Sequence, residues 1–358
     1  SGMSRLLALV VAVSAACAFT AGPSLAGPPA RGGTQHGTYP APGVPGARSY
    51  DLYVPHSVAA SPRRAVPLVV YLHGCTQTAQ DAATGTRLDA LAERKGFLVL
   101  YPEQLRPATS TAPVSDGNGA GCWNWFLPQD QVRDAGEPAT LAGMTRSVMA
   151  RFRVDAGRVW LAGVSAGADM TTILGAAYPD LFAAIAPIAG CAYRTCSDLD
   201  GSAAYAAMGP RARELPVFIV QGSADMLNNV GMGATAVAQW LGTNDLADDG
   251  SANMSVSRQP ASVTTRDLDA SLVTGKPGDP CIANFRFPCL GGALGLRTYP
   301  TTTLSYADAK GREVVRVLVI HGANHAYTGG DSRGTFVDPL GPDLTSLVYD
   351  FFQAHPRR

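Results

Sequence analysis

The stretch Val159-Trp160-Leu161-Ala162-Gly163-Val164-Ser165-Ala166-Gly167-Ala168-Asp169-Met170 most constrains what this chain can fold into. An apolar run passes through Gly-x-Ser-x-Gly into a helical pattern. Small residues on both sides of Ser165 permit a tight strand-to-helix turn that leaves the hydroxyl exposed, as a nucleophile elbow requires.

The rest of the chain has a rhythm that suits such an elbow. Nearly continuous apolar runs at 66–72, 96–101, 158–162, 183–189, 216–220 and 314–320 are the mark of strands buried on both faces. Ser49–Val54 alternates and reads as an edge strand. Helical patterns fall at 87–95, 141–153, 166–178, 232–240 and 344–355. Strands alternating with helices predict an α/β fold: one domain over residues 47–358, with a mostly parallel central sheet covered on both faces. Two long loops break the rhythm, Arg106–Asp134 and an insertion at Gly242–Pro300 before the last strand, a candidate lid or substrate loop.

Residues 27–46, rich in Pro and Gly without periodicity, are expected to form a flexible leader. Before them, Arg5, the apolar run Leu6–Phe19 and Ser24-Leu25-Ala26 have the form of a signal peptide cleaved after Ala26. Ser1-Gly2 precede Met3 as a cloning remnant would. The apolar run is short for a membrane span. Cys17 is a weak fit to a lipoprotein signal, because Ser14 stands where Leu is expected. The expected location is therefore secreted, extracellular or periplasmic, with no stable membrane association. Twenty-eight basic residues balance twenty-eight acidic ones, with no Lys/Arg run, which argues against a nucleic-acid partner. Oligomeric state is not readable.

After cleavage six cysteines remain, Cys75, Cys122, Cys191, Cys196, Cys281 and Cys289. An even count in an exported chain points to disulfides, and six cysteines allow fifteen pairings. Cys191 with Cys196 and Cys281 with Cys289 are the local pairs, leaving Cys75 for Cys122. No Cys-x-x-Cys or convincing His spacing accompanies them, so no metal or cofactor is expected.

A serine hydroxyl needs a base, usually an imidazole held in one tautomer by a carboxylate. His325 follows the last strand in a glycine-containing loop. His36, His56 and His355 read as solvated or packing residues, His73 precedes the serine, and His321 sits at the strand end as a wall residue. Gln221-Gly222-Ser223-Ala224-Asp225 carries Asp225 to the same sheet edge, and the order Ser, Asp, His is that of α/β-hydrolases. The backbone N–H of Ala166 and, from the loop after the first buried strand, of Cys75 are the candidate oxyanion donors. A Cys75–Cys122 disulfide would pin that loop to the Trp123/Trp125 loop.

With these residues in place the chain resembles the catalytic domain of extracellular polyhydroxybutyrate depolymerases and related secreted feruloyl and acetylxylan esterases. The resemblance rests on Leu72-His73-Gly74-Cys75-Thr76-Gln77-Thr78, Cys122-Trp123-Asn124-Trp125-Phe126, Gly163-Val164-Ser165-Ala166-Gly167, Gly222-Ser223-Ala224-Asp225, His325-Ala326-Tyr327-Thr328-Gly329-Gly330 and Asp338-Pro339-Leu340-Gly341-Pro342-Asp343. It spans roughly residues 48–356. It implies an α/β-hydrolase fold with Ser165 as nucleophile, His325 as base, Asp225 as its orienter, and Cys75 and Ala166 as oxyanion donors. Tyr327 departs from the Trp common in the family, and the insertion is longer than expected.

The expected activity is ester hydrolysis through an acyl-enzyme, on a polyhydroxyalkanoate polymer or its oligomers. Alternatives are a feruloyl or acetylxylan type of carbohydrate esterase, a poly(aspartic acid) hydrolase, or a non-catalytic polymer-binding protein. Trp123, Trp125, Tyr193 and Tyr327 are candidates to contact such a substrate, whereas Trp240, ending an apolar helical stripe, reads as core.

Overall fold

A computed structural model of the chain describes residues 32–41, 47–106, 117–266 and 298–357. The expectations for the signal peptide and for Cys281 and Cys289 lie outside the described residues. The strands are β1 (Gly33–Pro40), β2 (Ala47–Val54), β3 (Val66–Leu72), β4 (Leu98–Pro102), β5 (Val154–Val164), β6 (Ala184–Ile188), β7 (Val217–Gly222), β8 (Ser262–Arg266), β9 (Thr301–Ala307), β10 (Glu313–Ile320), β11 (Tyr327–Thr328) and β12 (Val337–Asp338). Ten of them form one sheet in the order β1-β2-β4-β3-β5-β6-β7-β10-β9-β8. From β4 through β10 every neighbour is parallel, and the pairs outside that block are antiparallel.

The period-2 geometry of a strand explains why the apolar runs are unbroken. In β3, Val66, Leu68, Val70 and Leu72 face one core, while Val69 and Tyr71 face the other. The first core is closed by the helices Gly136–Arg151, Ala166–Ala177 and Val230–Asp249, which contribute Leu141, Met170, Leu174 and Trp240. The second is closed by Ala79–Thr86, Leu88–Lys95 and Leu344–Ala354, with Ala82, Leu91, Phe351 and Phe352. This is the α/β sandwich that the alternation of strands and helices predicts.

Three expectations need correction. Residues 33–40 of the supposed leader are strand β1, in full antiparallel register with β2, so β2 is not the edge. The strand was concealed because its order comes from the ladder: its burial alternates only between partial and exposed, Gly37 lies flat on Tyr50, and His36 pairs with Asp51 at 2.6 Å. The insertion does not begin at Gly242, because its preceding helix runs on to Asp249 and stops at Gly250, whose φ of 85° is the left-handed conformation that ends helices. The Asp245 carboxylate on that helix accepts the backbone N–H groups of Met254 and Val256 at 3.1 Å each and so ties the following segment down. Polar strands β8 and β9 then extend the sheet beyond β10.

Candidate active site

Ser165 follows β5 with φ 58° and ψ −124°, a conformation that costs an L-residue on the order of 1–3 kcal/mol and persists only where the surroundings enforce it. Its flanking glycines show how. A Cβ at Gly167 would lie 2.2 Å from the Leu72 carbonyl oxygen, and one at Gly163 would lie 2.3 Å from the Gly167 carbonyl oxygen. The turn is therefore pressed against the end of β3. The Ser165 N–H donates to Ile188 at the end of β6, at 3.0 Å.

Asp225 and His325 reach the same edge from neighbouring parallel strands. β7 and β10 end in register, Ile320 opposite Gly222. The loops beyond them are stitched by Ser223 N–H to Ile320 O and Ala224 N–H to Ala323 O, both 2.9 Å. Nδ1 of His325 lies 2.8 Å from Oδ2 of Asp225, with both side chains almost wholly buried. The other carboxylate oxygen accepts the N–H groups of Leu227 at 2.9 Å and Asn228 at 2.8 Å. The carboxylate is thus fixed as an acceptor, its partner nitrogen carries the proton, and Nε2 of His325 is left with a lone pair. Gln221, inside the apolar strand β7, sends Nε2 to the Asn228 carbonyl at 2.5 Å and toward Asp225 Oδ2 at 3.4 Å. Its only signal in the sequence is a polar residue at the end of an apolar strand.

Among the described residues, the N–H groups of Cys75 and Ala166 donate to no protein acceptor. Ala166 begins a helix, so its N–H is one of the four that a helix leaves unpaired. The Cys75 loop is held on every side. Gly74 donates its N–H to Gln77 Oε1 at 2.8 Å, Thr76 donates to Ala120 O at 2.8 Å, and a disulfide joins Cys75 to Cys122. His73, 1% exposed, directs Nδ1–H to the Gly74 carbonyl at 2.8 Å and accepts the Gln104 N–H on Nε2 at 3.1 Å. Burial pushes its imidazole down to about 4, so it is a neutral strut. A second disulfide joins Cys191 to Cys196 on the loop after β6. The buried Asp169 accepts the Cys191 N–H at 2.9 Å, and burial raises its carboxyl to about 7.

The aromatic candidates divide. Trp123, Tyr193 and Tyr327 are 2%, 2% and 4% exposed, which corrects their expected place at a substrate surface. Their polar tips are consumed internally: Trp123 Nε1–H donates to His73 O at 2.9 Å, Tyr193 OH to Gln131 O at 2.5 Å, and the Tyr327 hydroxyl bonds Thr345 at 2.8 Å. Trp125 is half-buried, edge-on to the exposed Phe126 at 5.8 Å. Trp240 is core. Met226 and Leu227, directly after Asp225, are 61% and 50% exposed. His321 bonds the Thr302 hydroxyl at 2.8 Å, a wall contact. Among the described residues no group of three or more His, Cys, Asp or Glu could hold a metal ion, and no helix is long and apolar enough to cross a membrane.

Comparison with known proteins agrees with this architecture. The chain is 38% identical over 172 residues to poly(3-hydroxyalkanoate) depolymerase C of Paucimonas lemoignei, covering 48% of this chain and 38% of the relative. It is 32% identical over 142 residues to feruloyl esterase B of Neurospora crassa, covering 39% and 43%. The chain thus spans about two fifths of the length of the curated relatives it matches. Among solved structures, an acetyl xylan esterase from Aspergillus awamori superposes with a TM-score of 0.54 at 20% identity, covering 82% of this chain and 94% of that one, a likeness of fold. The model of the family described as esterase PHB depolymerase matches residues 48–271, and this chain belongs to that family.

Proposed function

We propose that this chain is an exported serine esterase that hydrolyses its substrate through an acyl-enzyme. The observation that carries the reading is the buried 2.8 Å contact between His325 and Asp225 at the sheet edge where Ser165 occupies its left-handed elbow. In the first half-reaction Ser165 Oγ bonds the ester carbonyl carbon and its proton passes to Nε2 of His325. The carbonyl oxygen takes the negative charge and is met by the N–H groups of Cys75 and Ala166. Collapse breaks the bond to the leaving oxygen, which departs with the proton from His325 as the free alcohol. Water repeats the sequence on the acyl-enzyme, gives its proton to His325 and releases the acid and Ser165. Asp225 holds the imidazole and stabilises it while it is charged.

A polyhydroxyalkanoate or its oligomers is the preferred substrate class. A curated relative 38% identical over 172 residues is named a poly(3-hydroxyalkanoate) depolymerase, and the exposed apolar Met226, Leu227 and Phe126 suit a greasy chain of repeating esters. A carbohydrate esterase is the second reading, favoured by relatives named for acetylxylan and feruloyl esters. Export rests on the Arg5–Ala26 pattern and the two disulfides.

The decisive experiment pairs Ser165→Ala with a substrate panel. Ser165→Ala should abolish p-nitrophenyl ester hydrolysis while the circular dichroism spectrum is unchanged; turnover in the variant would refute the nucleophile. Release of hydroxyalkanoate oligomers rather than acetate or ferulate from the wild type would select between the substrate classes.

A further inference from the structure

Behind the Cys75 amide lies a buried polar cluster that the reaction steps above do not use. Its hub is Glu137, 3% exposed, in the first turn of the helix Gly136–Arg151. One carboxylate oxygen accepts the Asn124 N–H at 2.7 Å. The other accepts Gln104 Nε2 at 2.5 Å and Asn124 Nδ2 at 3.2 Å. The Gln104 amide also donates to the Cys122 carbonyl at 2.8 Å, and its backbone N–H donates to His73 Nε2 at 3.1 Å. One side chain therefore gathers the segments that frame Cys75: Asn124 directly and, through Gln104, the carbonyl of its disulfide partner Cys122 and the His73 ring that grips the Gly74 carbonyl.

Burying a carboxylate is costly, and an apolar side chain of similar volume would fill the site without that cost. What the carboxylate supplies is direction, because an acceptor-only group fixes several donors at once. We infer that Glu137 is a positioning residue which sets the Cys75 N–H for the oxyanion, acting through Gln104, Asn124 and the Cys75–Cys122 disulfide. The inference rests on the serine-esterase reading and deepens it. An oxyanion donor acts on charge present only in the transition state, so its displacement lowers kcat more than it raises KM.

The surroundings of Glu137 add a pH signature. Asp130 faces it and donor groups converge on it, while Arg48 opposes Asp130 and, with Glu103, lines the same small gap. Burial raises the Glu137 carboxyl to about 7. Protonation removes an acceptor from a cluster built of donors, so the wild-type kcat should fall as Glu137 takes up its proton.

The test uses the full chain carrying Glu137→Gln, whose new amide opposes a donor at constant volume, and, should that variant not fold, Gln104→Leu, which severs the link to Cys122. Removing a whole oxyanion donor costs two to three orders of magnitude, so a displaced one should lower kcat on p-nitrophenyl acetate roughly tenfold, with KM changed less than about twofold. The inhibition constant of a trifluoromethyl ketone, which forms a tetrahedral oxyanion on the serine, should rise by the same roughly tenfold factor. The fall of kcat that follows the Glu137 proton should be absent in Glu137→Gln. Unchanged kcat and inhibitor affinity in a folded variant would overturn the role of Glu137, as would a loss confined to KM. Failure of a fluorophosphonate to label Ser165 in the wild type would instead overturn the esterase reading beneath it.

Discussion

The indole Nε1–H of Trp123 donates to the main-chain carbonyl of His73 at 2.9 Å, and this bond joins the long loop after β4 to the end of β3. Trp125, two residues on, is half-buried beside the exposed Phe126. The two tryptophans should separate experimentally. Trp123→Ala empties a buried site and removes the strut behind the Cys75 loop, so it should cost about 3–5 kcal/mol of stability. Trp125→Ala, at a side chain only partly packed on the core, should lower the melting temperature less than Trp123→Ala and raise KM for longer acyl esters. Thermal melts and a chain-length series of p-nitrophenyl esters check both; equal KM values across the series would remove Trp125 from the substrate surface.

Asp225→Asn should lower kcat by roughly three to four orders of magnitude, because the amide no longer enforces the Nδ1–H tautomer of His325. The Leu227 and Asn228 N–H groups can still bond the remaining carbonyl oxygen, so folding should survive. Steady-state kinetics beside a melting curve make the comparison. A variant within tenfold of wild type would mean that another carboxylate orients the histidine.

Gly167→Ala places a methyl 2.2 Å from the Leu72 carbonyl oxygen and 2.6 Å from that of His73. Neither is a side chain that can rotate aside, so the elbow must shift from β3. Activity should be lost together with fluorophosphonate labelling of Ser165, even in soluble protein. Retained labelling at the wild-type rate would show that the elbow tolerates the shift.

Buried titrating groups set opposing pH dependences of stability. Burial raises the carboxyls of Glu137 and Asp169 to about 7 from ordinary values of 4.5 and 3.8. The folded chain then holds protons that the unfolded chain has released, so their contribution is complete below the lower values and is lost as pH rises to about 7. His73 acts oppositely: lowered from 6.5 to about 4, it contributes stability above that window that is lost as pH falls through it. Glu137→Gln removes one of the two carboxyls. The stability of wild type relative to this variant should therefore be greater at pH 5 than at pH 8 by denaturant titration; a difference independent of pH would contradict the raised carboxyl.

The parallel block of the sheet was legible because strands buried on both faces must be apolar throughout, as Val66–Leu72 and Leu98–Tyr101 are. The placing of Ser165, Asp225 and His325 at one sheet edge was legible for a related reason: each follows such a strand, and parallel strands deliver their carboxyl ends to one edge. The cysteine count with two local pairs pointed to Cys75–Cys122, a bond whose partners are 47 residues apart. β1 and β9 were not legible, because they borrow order from a neighbour's ladder and carry few apolar residues of their own. Burial of the aromatics escaped for a similar cause. A Trp or Tyr in a loop has the same letter whether its polar tip meets water or a carbonyl, and only the meeting of distant segments put His73 O before Trp123 and Thr345 before Tyr327. Sequence alone determined which residue types follow the buried strands and in what order, and with them the residues that the proposed chemistry would use. Tertiary structure alone decided what holds them and what they present outward, because hydrogen-bond partners and burial depend on segments that the chain brings together only when folded.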